Sequence, residues 1–334
     1  ELLDDESMAH TLLVLEGAGV RLEALRTLAL QMAANWDLVE ERLDFEAPAP
    51  GSFPRGELLR VFDDVEAYAD GCDNPDDKLL ARFPDLRHHR ALIAEALDDI
   101  EAIELACEMG DHRRARRAIR VGNVGNKDNW HTDIADVRNA FAELRVACDR
   151  AVSSVTTAAL AHVAARIGRF VLEAAEKRCD IGRLEFHDLL VRARRLLRSQ
   201  DHGPEVRAAL AERYPRLLLD EFQDTDPIQI ELATLIATND PDVSDKDWTD
   251  LTVRPGSLFF VGDPKQSIYR FRRADIGVFL TVRDRVTDRP ALTVNFRTTA
   301  PIIEWVNHVF GQLIQFDPDS QPEYVALSAH RTDT

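Results

Sequence analysis

The stretch Leu217-Leu218-Leu219-Asp220-Glu221-Phe222-Gln223-Asp224-Thr225-Asp226-Pro227-Ile228-Gln229 decides how this chain is read. Three leucines in a row suit a short strand buried on both faces. Adjacent carboxylates at its end then stand at the C-terminal edge of a parallel sheet, where α/β proteins bind ligands. One carboxylate there can hold the water shell of a Mg²⁺ ion, which prefers oxygen ligands and keeps several waters. Its neighbour can orient and deprotonate a water that attacks a γ-phosphate. An Asp-Glu pair alone means nothing in a chain with 59 acidic residues. Its weight comes from the strand before it and from the segments that follow.

A second short apolar run, Ser257-Leu258-Phe259-Phe260-Val261, opens into Gly262-Asp263-Pro264-Lys265-Gln266-Ser267-Ile268-Tyr269-Arg270-Phe271-Arg272-Arg273. A glycine-led turn, a polar Gln266 and aromatics alternating with arginines suit a segment that touches nucleotide on one side and bases on the other. Stacking on Tyr or Phe tolerates any base, because every base has a π-face. Ala291-Leu292-Thr293-Val294 is a third candidate strand, followed by Asn295-Phe296-Arg297. That arginine can neutralise charge developing on a transferred phosphoryl group. Helices are expected over 228–236 and 301–313, the latter with Pro301 at its first position. The loop 239–256, with Asp240, Asp242, Asp245, Asp247 and Asp250, reads as solvated. Plainer roles stay open beside these: a solvated strand end or helix cap for Asp220 and Glu221, a turn residue in Gln266, core packing for Tyr269 and Phe271, and a structural ion pair for Arg297.

The three segments, in this order, resemble motifs II, III and IV of the UvrD/Rep-type superfamily-one DNA helicases. The wording from Gly262 to Ile276 is similar to the RecB/AddA-like branch, and Leu184-Glu185-Phe186-His187-Asp188-Leu189-Leu190 is similar to the segment leading into motif II. The resemblance covers about residues 184–310. It implies an α/β fold of RecA-like (P-loop NTPase) type, with an incomplete parallel sheet and a large all-helical insertion. Residues 1–182 would be a 1B-like helical insertion, 183–288 a 1A-like motor lobe, and 289–334 the start of a truncated 2A-like lobe.

The same resemblance implies ATP and Mg²⁺ as cofactors. Asp220 would serve the metal, Glu221 the attacking water, Gln266 the γ-phosphate, and Arg297 would act as an arginine finger. Tyr269 and Phe271 would stack on single-strand bases, with Arg272 on the DNA backbone. The implied activity is that of an ATP-dependent 3′–5′ DNA helicase of repair and recombination, acting on single-stranded DNA and junctions. The alternatives are a helicase–nuclease subunit of exonuclease V type, working with a partner subunit, and a non-catalytic DNA-binding scaffold with a motor fold. Arg273 departs from the glycine of many relatives. No GxxxxGK[ST] phosphate loop exists here, since none of Lys78, Lys127, Lys177, Lys246 and Lys265 follows a glycine. The chain, which opens Glu1-Leu2-Leu3, is therefore expected to be an internal piece of a longer protein, inactive by itself.

Composition is compatible with this reading. The 334 residues suggest two domains at roughly 150 each, and 45% apolar residues suffice for cores. A net charge of −18 argues against an overall field that draws in nucleic acid or anionic membrane, so DNA contact must be local. The arginine groups Arg113, Arg114, Arg116, Arg117, Arg120 and Arg192, Arg194, Arg195, Arg198 are expected mainly on solvated helix faces. Four cysteines without a CxxC pair argue against zinc and for reduced thiols in the cytoplasm. No metal site beyond Mg²⁺ is expected, His88 and His89 included. No membrane crossing is expected either, because the apolar stretch 151–175 is interrupted by Ser153, His162, Arg166 and Arg169.

Before residue 182, apolar residues recur at helical spacing, as in Leu58, Phe62, Val65, Ala69 and in Leu92, Ile93, Ala96, Leu97, Ile100, Ile103. By analogy of fold, the loop bearing Lys127 and Trp130 would meet duplex DNA.

Overall fold

The computed structural model describes residues 6–109, 120–267, 276–286, 290–317 and 321–331. The chain separates into two compact units, Glu1–Arg183 and Leu184–Thr334.

The first unit is helical: α1 (Glu6–Gly17), α2 (Leu22–Ala34), α3 (Trp36–Arg42), α4 (Arg55–Glu66), α5 (Phe83–Glu95), α6 (Asp99–Cys107) and α7 (Ile134–Asp180). With 47 residues, α7 is about 70 Å long. Asp133 starts it by accepting a hydrogen bond from Ala135 N–H. Val137, Phe141, Leu144, Cys148, Val152 and Val155 are buried at steps of three and four, and burial continues to Ala175. Helices α1, α2, α3, α4 and α6 pack against it.

By length and composition alone α7 is long and apolar enough to cross a membrane, a test that the core helix of a soluble protein also passes. Its buried positions, from Val137 to Ala175, form the core of this unit. The helical pattern through 92–103 breaks. Asp98 caps α6 by accepting from Glu101 N–H at 2.9 Å, and Leu97, which the pattern placed on the core face, is 93% exposed.

Asp77, between α4 and α5, draws the segment before α7 against this core. Only 3% exposed, it accepts from Leu79 N–H at 2.8 Å, Asn126 N–H at 2.9 Å and Asn129 Nδ2 at 2.8 Å. Gly125 makes this approach possible: its φ of 93° lies in the left-handed region, and a Cβ there would stand 2.8 Å from Leu79 Cβ. Trp130 in this loop is buried, its ring 6.2 Å from that of Phe83. Trp130 itself is therefore core, while Lys127 in the same loop is exposed.

The second unit contains α8 (Phe186–Arg198), α9 (Gly203–Arg213), β1 (Leu217–Leu219), α10 (Pro227–Ala237), β2 (Leu258–Phe260), α11 (Ile276–Arg285), β3 (Val294–Thr299), α12 (Ala300–Leu313) and β4 (Ser328–Arg331). It is α/β with, among the described residues, two small parallel sheets, β1–β2 and β3–β4. Helix α10 begins with a reciprocal cap in which Asp226 accepts from Ile228 N–H and Gln229 Oε1 accepts from Asp226 N–H. The second half of the decisive stretch is thus a helix start, with Pro227 in its first turn.

Three expectations are corrected here. The first two strands are covered on one face only: Leu218 and Phe259, opposite each other in register, are 74% and 53% exposed. An apolar run records composition, whereas burial needs a layer on each side. The third strand begins at Val294, where the candidate run 291–294 ends, and so contains Asn295, Phe296 and Arg297. Its pairing with β4, which sets Val294 beside Ser328, has no signature in 291–294.

The loop 239–256 is anchored rather than simply solvated. Val243 and Leu251 join Leu197 and Leu235 in a buried cluster. Arg198 donates Nη1 to the carbonyls of Val243, Ser244 and Lys246, and Nε to Glu231 Oε1 at 2.5 Å. Arg194 faces the other Glu231 oxygen at 3.6 Å. Two of the α8 arginines are therefore structural, which a charge pattern could not distinguish from a solvated face.

Candidate functional site

Strands β1 and β2 pair in parallel, Leu217 with Leu258 and Leu219 with Phe260, so their C-terminal ends share one sheet edge. Inter-strand hydrogen bonds continue past both strands, from Val261 N–H to Leu219 O and from Phe222 N–H to Val261 O, each 2.9 Å. Asp220 and Glu221 lie between these two bonds on one chain, and the turn starting at Gly262 follows on the other. The edge thus gathers Asp220, Glu221 and the segment carrying Gln266.

Glu221 has φ 51° and ψ 43°, alone among the described non-glycine residues in the left-handed region. That backbone costs about 1–2 kcal/mol for a residue with a Cβ. Phe222 holds it in place. Its N–H is tied to Val261, and its buried ring lies 4.5 Å from Phe260 and 5.4 Å from Phe279, in a cluster with Ile230 and Val282. The result is an abrupt turn above an aromatic core, with both carboxylates exposed.

Asp220 Oδ1 accepts from Glu221 N–H at 3.0 Å. Glu221 Oε2 accepts from Gln223 Nε2 at 2.7 Å. Across the edge, Gln223 Oε1 accepts from Asp263 N–H at 2.9 Å, and the Gln223 carbonyl accepts from Ser267 Oγ at 3.2 Å.

Asp263 in turn organises the second segment. It accepts from Lys265 N–H at 3.1 Å and from Gln266 Nε2 at 3.2 Å, and Lys265 Nζ sits 3.5 Å from its Oδ1 and 5.8 Å over the Tyr324 ring. Gln266 is exposed on this short turn. The chemistry available is that of a set of hard oxygen donors, exposed carboxylates with an amide beside them. Asp224, in the turn that follows, has a carboxylate oxygen that is buried with no hydrogen-bond partner among the described residues. Among the described residues no group of three or more His, Cys, Asp or Glu side chains comes together as a metal site, so a Mg²⁺ here would be held through one or two carboxylates, the mode of an ion that keeps several waters.

Arg297 belongs to the other sheet. It is exposed on β3, its N–H donating to Asn295 Oδ1 at 2.9 Å. Tyr269, Phe271 and Arg272 lie outside the described residues, as do Arg113, Arg114, Arg116 and Arg117. Sequence reasoning passed over Gln223 and the close approach at Gly262, where a Cβ would lie 2.7 Å from Gln223 Oε1. A polar residue two positions after Glu221 was the available signal, but nothing local says that it is buried.

Comparison with known proteins bears on the same residues. The family model described as the UvrD/REP helicase N-terminal domain matches residues 88–287. The chain is 36% identical over 148 residues to the RecBCD enzyme subunit RecB of Chlamydia pneumoniae, covering 42% of this chain and 13% of that one. It is 35% identical over 158 residues to RecB of Escherichia coli (strain K12), covering 47% and 12%. With an ATP-dependent helicase/nuclease subunit from Exiguobacterium sibiricum it shares 35% over 148 residues, covering 43% and 11%. The matched region is thus a small part of each of these long relatives.

Proposed function

The chain belongs to the UvrD/REP helicase N-terminal domain family, and we propose that its protein is an ATP-dependent DNA helicase of repair and recombination, moving 3′ to 5′ on single-stranded DNA and at junctions. In this reading the second unit is part of a RecA-like motor, and the helical first unit is a 1B-like insertion. The protein works in the cytoplasm. The observation that carries the reading is the parallel register of β1 and β2, which supports a shared nucleotide edge for Asp220, Glu221 and the Gln266 turn.

Glu221 accepts a proton from the attacking water, and Asp220 holds the hydrated metal through its carboxylate. Gln266 contacts the γ-phosphate end of the nucleotide, and Arg297 neutralises charge that develops there. Bound Mg²⁺ and ATP supply the phosphoryl group and the cation that screens it. The β/γ-phosphate cradle, absent from these 334 residues, is assigned to the rest of the protein, so this chain alone should not turn over ATP. Tyr269 and Phe271 stack on bases while Arg272 neutralises the DNA backbone, a local binding mode suited to a chain of net charge −18.

A second reading, a helicase–nuclease subunit with a partner subunit, is favoured by the names of the relatives.

The test is Glu221→Gln in the full-length protein. The amide keeps the shape of the side chain but accepts no proton. DNA-stimulated ATP hydrolysis should fall at least about tenfold, or ~1.4 kcal/mol, while ATP binding persists. Turnover above a tenth of the original rate would remove Glu221 from the base role.

A further inference from the structure

We infer that Gln223 is a positioning residue that fixes the Glu221 carboxylate to the turn carrying Gln266. This rests on the proposed hydrolytic role of Glu221.

Both ends of the Gln223 amide are occupied, and by different strand ends. Its Nε2 donates to Glu221 Oε2 at 2.7 Å, its Oε1 accepts from Asp263 N–H at 2.9 Å, and the side chain is buried. A glutamine amide offers a donor and an acceptor of fixed geometry, without charge and with this reach. Glutamate would place a second carboxylate against Glu221. Asparagine lacks the methylene needed to span both partners. Leucine would leave Asp263 N–H without its acceptor.

The surroundings are built for this contact. Gly262, on the opposite strand end, leaves room for Oε1 where a Cβ would stand 2.7 Å from it. Ser267 Oγ donates to the Gln223 carbonyl at 3.2 Å, so the same residue also receives the far end of the turn. Asp263, whose N–H is bound by Gln223, accepts from Gln266 Nε2 at 3.2 Å. One continuous line of hydrogen bonds therefore runs from Glu221 through Gln223 and Asp263 to Gln266.

Glu221 needs such an anchor. Its backbone is left-handed, and its exposed side chain has a free choice of rotamers unless something holds it. A carboxylate that must meet a water within hydrogen-bond reach gains rate from being held in one orientation. Gln223 supplies that restraint from a buried position, without needing to touch nucleotide itself.

The test uses the full-length protein with Gln223→Leu, Gln223→Glu and, in parallel, Glu221→Gln. Gln223→Glu keeps the size of the side chain and the acceptor for Asp263 N–H, so it carries the test if Gln223→Leu does not fold. Both Gln223 variants should lose at least about tenfold in kcat while KM for ATP stays within about twofold, the pattern of an interaction needed after binding. A lowered melting temperature with unchanged kcat would overturn the positioning role and leave only a structural one. Unchanged kcat in the Gln223 variants, with turnover abolished by Glu221→Gln, overturns this inference and leaves the proposed activity standing. Turnover that survives Glu221→Gln overturns the proposed activity, and this inference with it.

Discussion

Glu231→Ala tests the claim that the 239–256 loop is anchored rather than merely solvated. The Glu231 side chain, 9% exposed, accepts from Arg198 Nε at 2.5 Å and stands 3.6 Å from Arg194 Nη1. Truncation leaves two guanidinium groups facing a small buried void. Removing one partner of a buried ion pair costs about 3–5 kcal/mol, because the other charge stays buried without compensation. Arg198 is 22% exposed and keeps its bonds to the carbonyls of Val243, Ser244 and Lys246, which places the expected loss at the lower end, about 3 kcal/mol.

Urea unfolding followed by tryptophan fluorescence reads the loss, since Trp248 lies beside the Phe222 cluster. Hydrogen exchange should accelerate across 239–256 in the same variant. Lys246→Ala serves as the control. Its amine sits 3.4 Å from Asp240 with the lysine side chain half exposed, and its removal should leave the midpoint unchanged. A Glu231→Ala loss below about 1 kcal/mol, or exchange no faster than in the control, would refute the idea that this buried pair holds the loop.

Two further outcomes concern the helical unit. Burial opposes the charge on Asp77, but hydrogen bonds from Asn126, Asn129, Leu79 and Leu80 outweigh it and hold the carboxyl below its ordinary value. A depressed folded value contributes stability above the unfolded pKa and loses it as pH falls through the folded one. Acid should therefore destabilise the native protein below about pH 4, and Asp77→Asn should lower stability at pH 7 while flattening that acid dependence in urea titrations; an unchanged pH profile would contradict the assignment. Burial, reinforced by Asp149, pushes the Cys148 thiol up to about 12. At pH 8 a thiol reagent should leave Cys148 unmodified in the native protein and label it after denaturation, with mass spectrometry of peptides deciding the site; rapid native labelling would show that the helix interface opens.

What the sequence by itself determined was part of the element list and the order of the motifs. Short apolar runs and the 3.6-residue period record where apolar residues gather, so β1, β2, α10, α12 and the stripe Leu58, Phe62, Val65 were legible. So was the sequence of an acidic strand end, a glycine-led turn and a later arginine. Tertiary structure decided the rest, because partners distant in sequence leave no local pattern.

Leu218 and Phe259 look like core but lie on the uncovered face of β1–β2. Trp130 and Arg198 look like surface contacts but serve packing and a buried ion pair. The left-handed backbone of Glu221 depends on Phe222 being tied to Val261 at the end of the neighbouring strand. Gln223 reads as one more polar residue in a turn until Asp263 arrives beside it from that same strand end. A hydrogen bond between two strand ends is a property of their pairing, and the pairing forms only when both strands share one core.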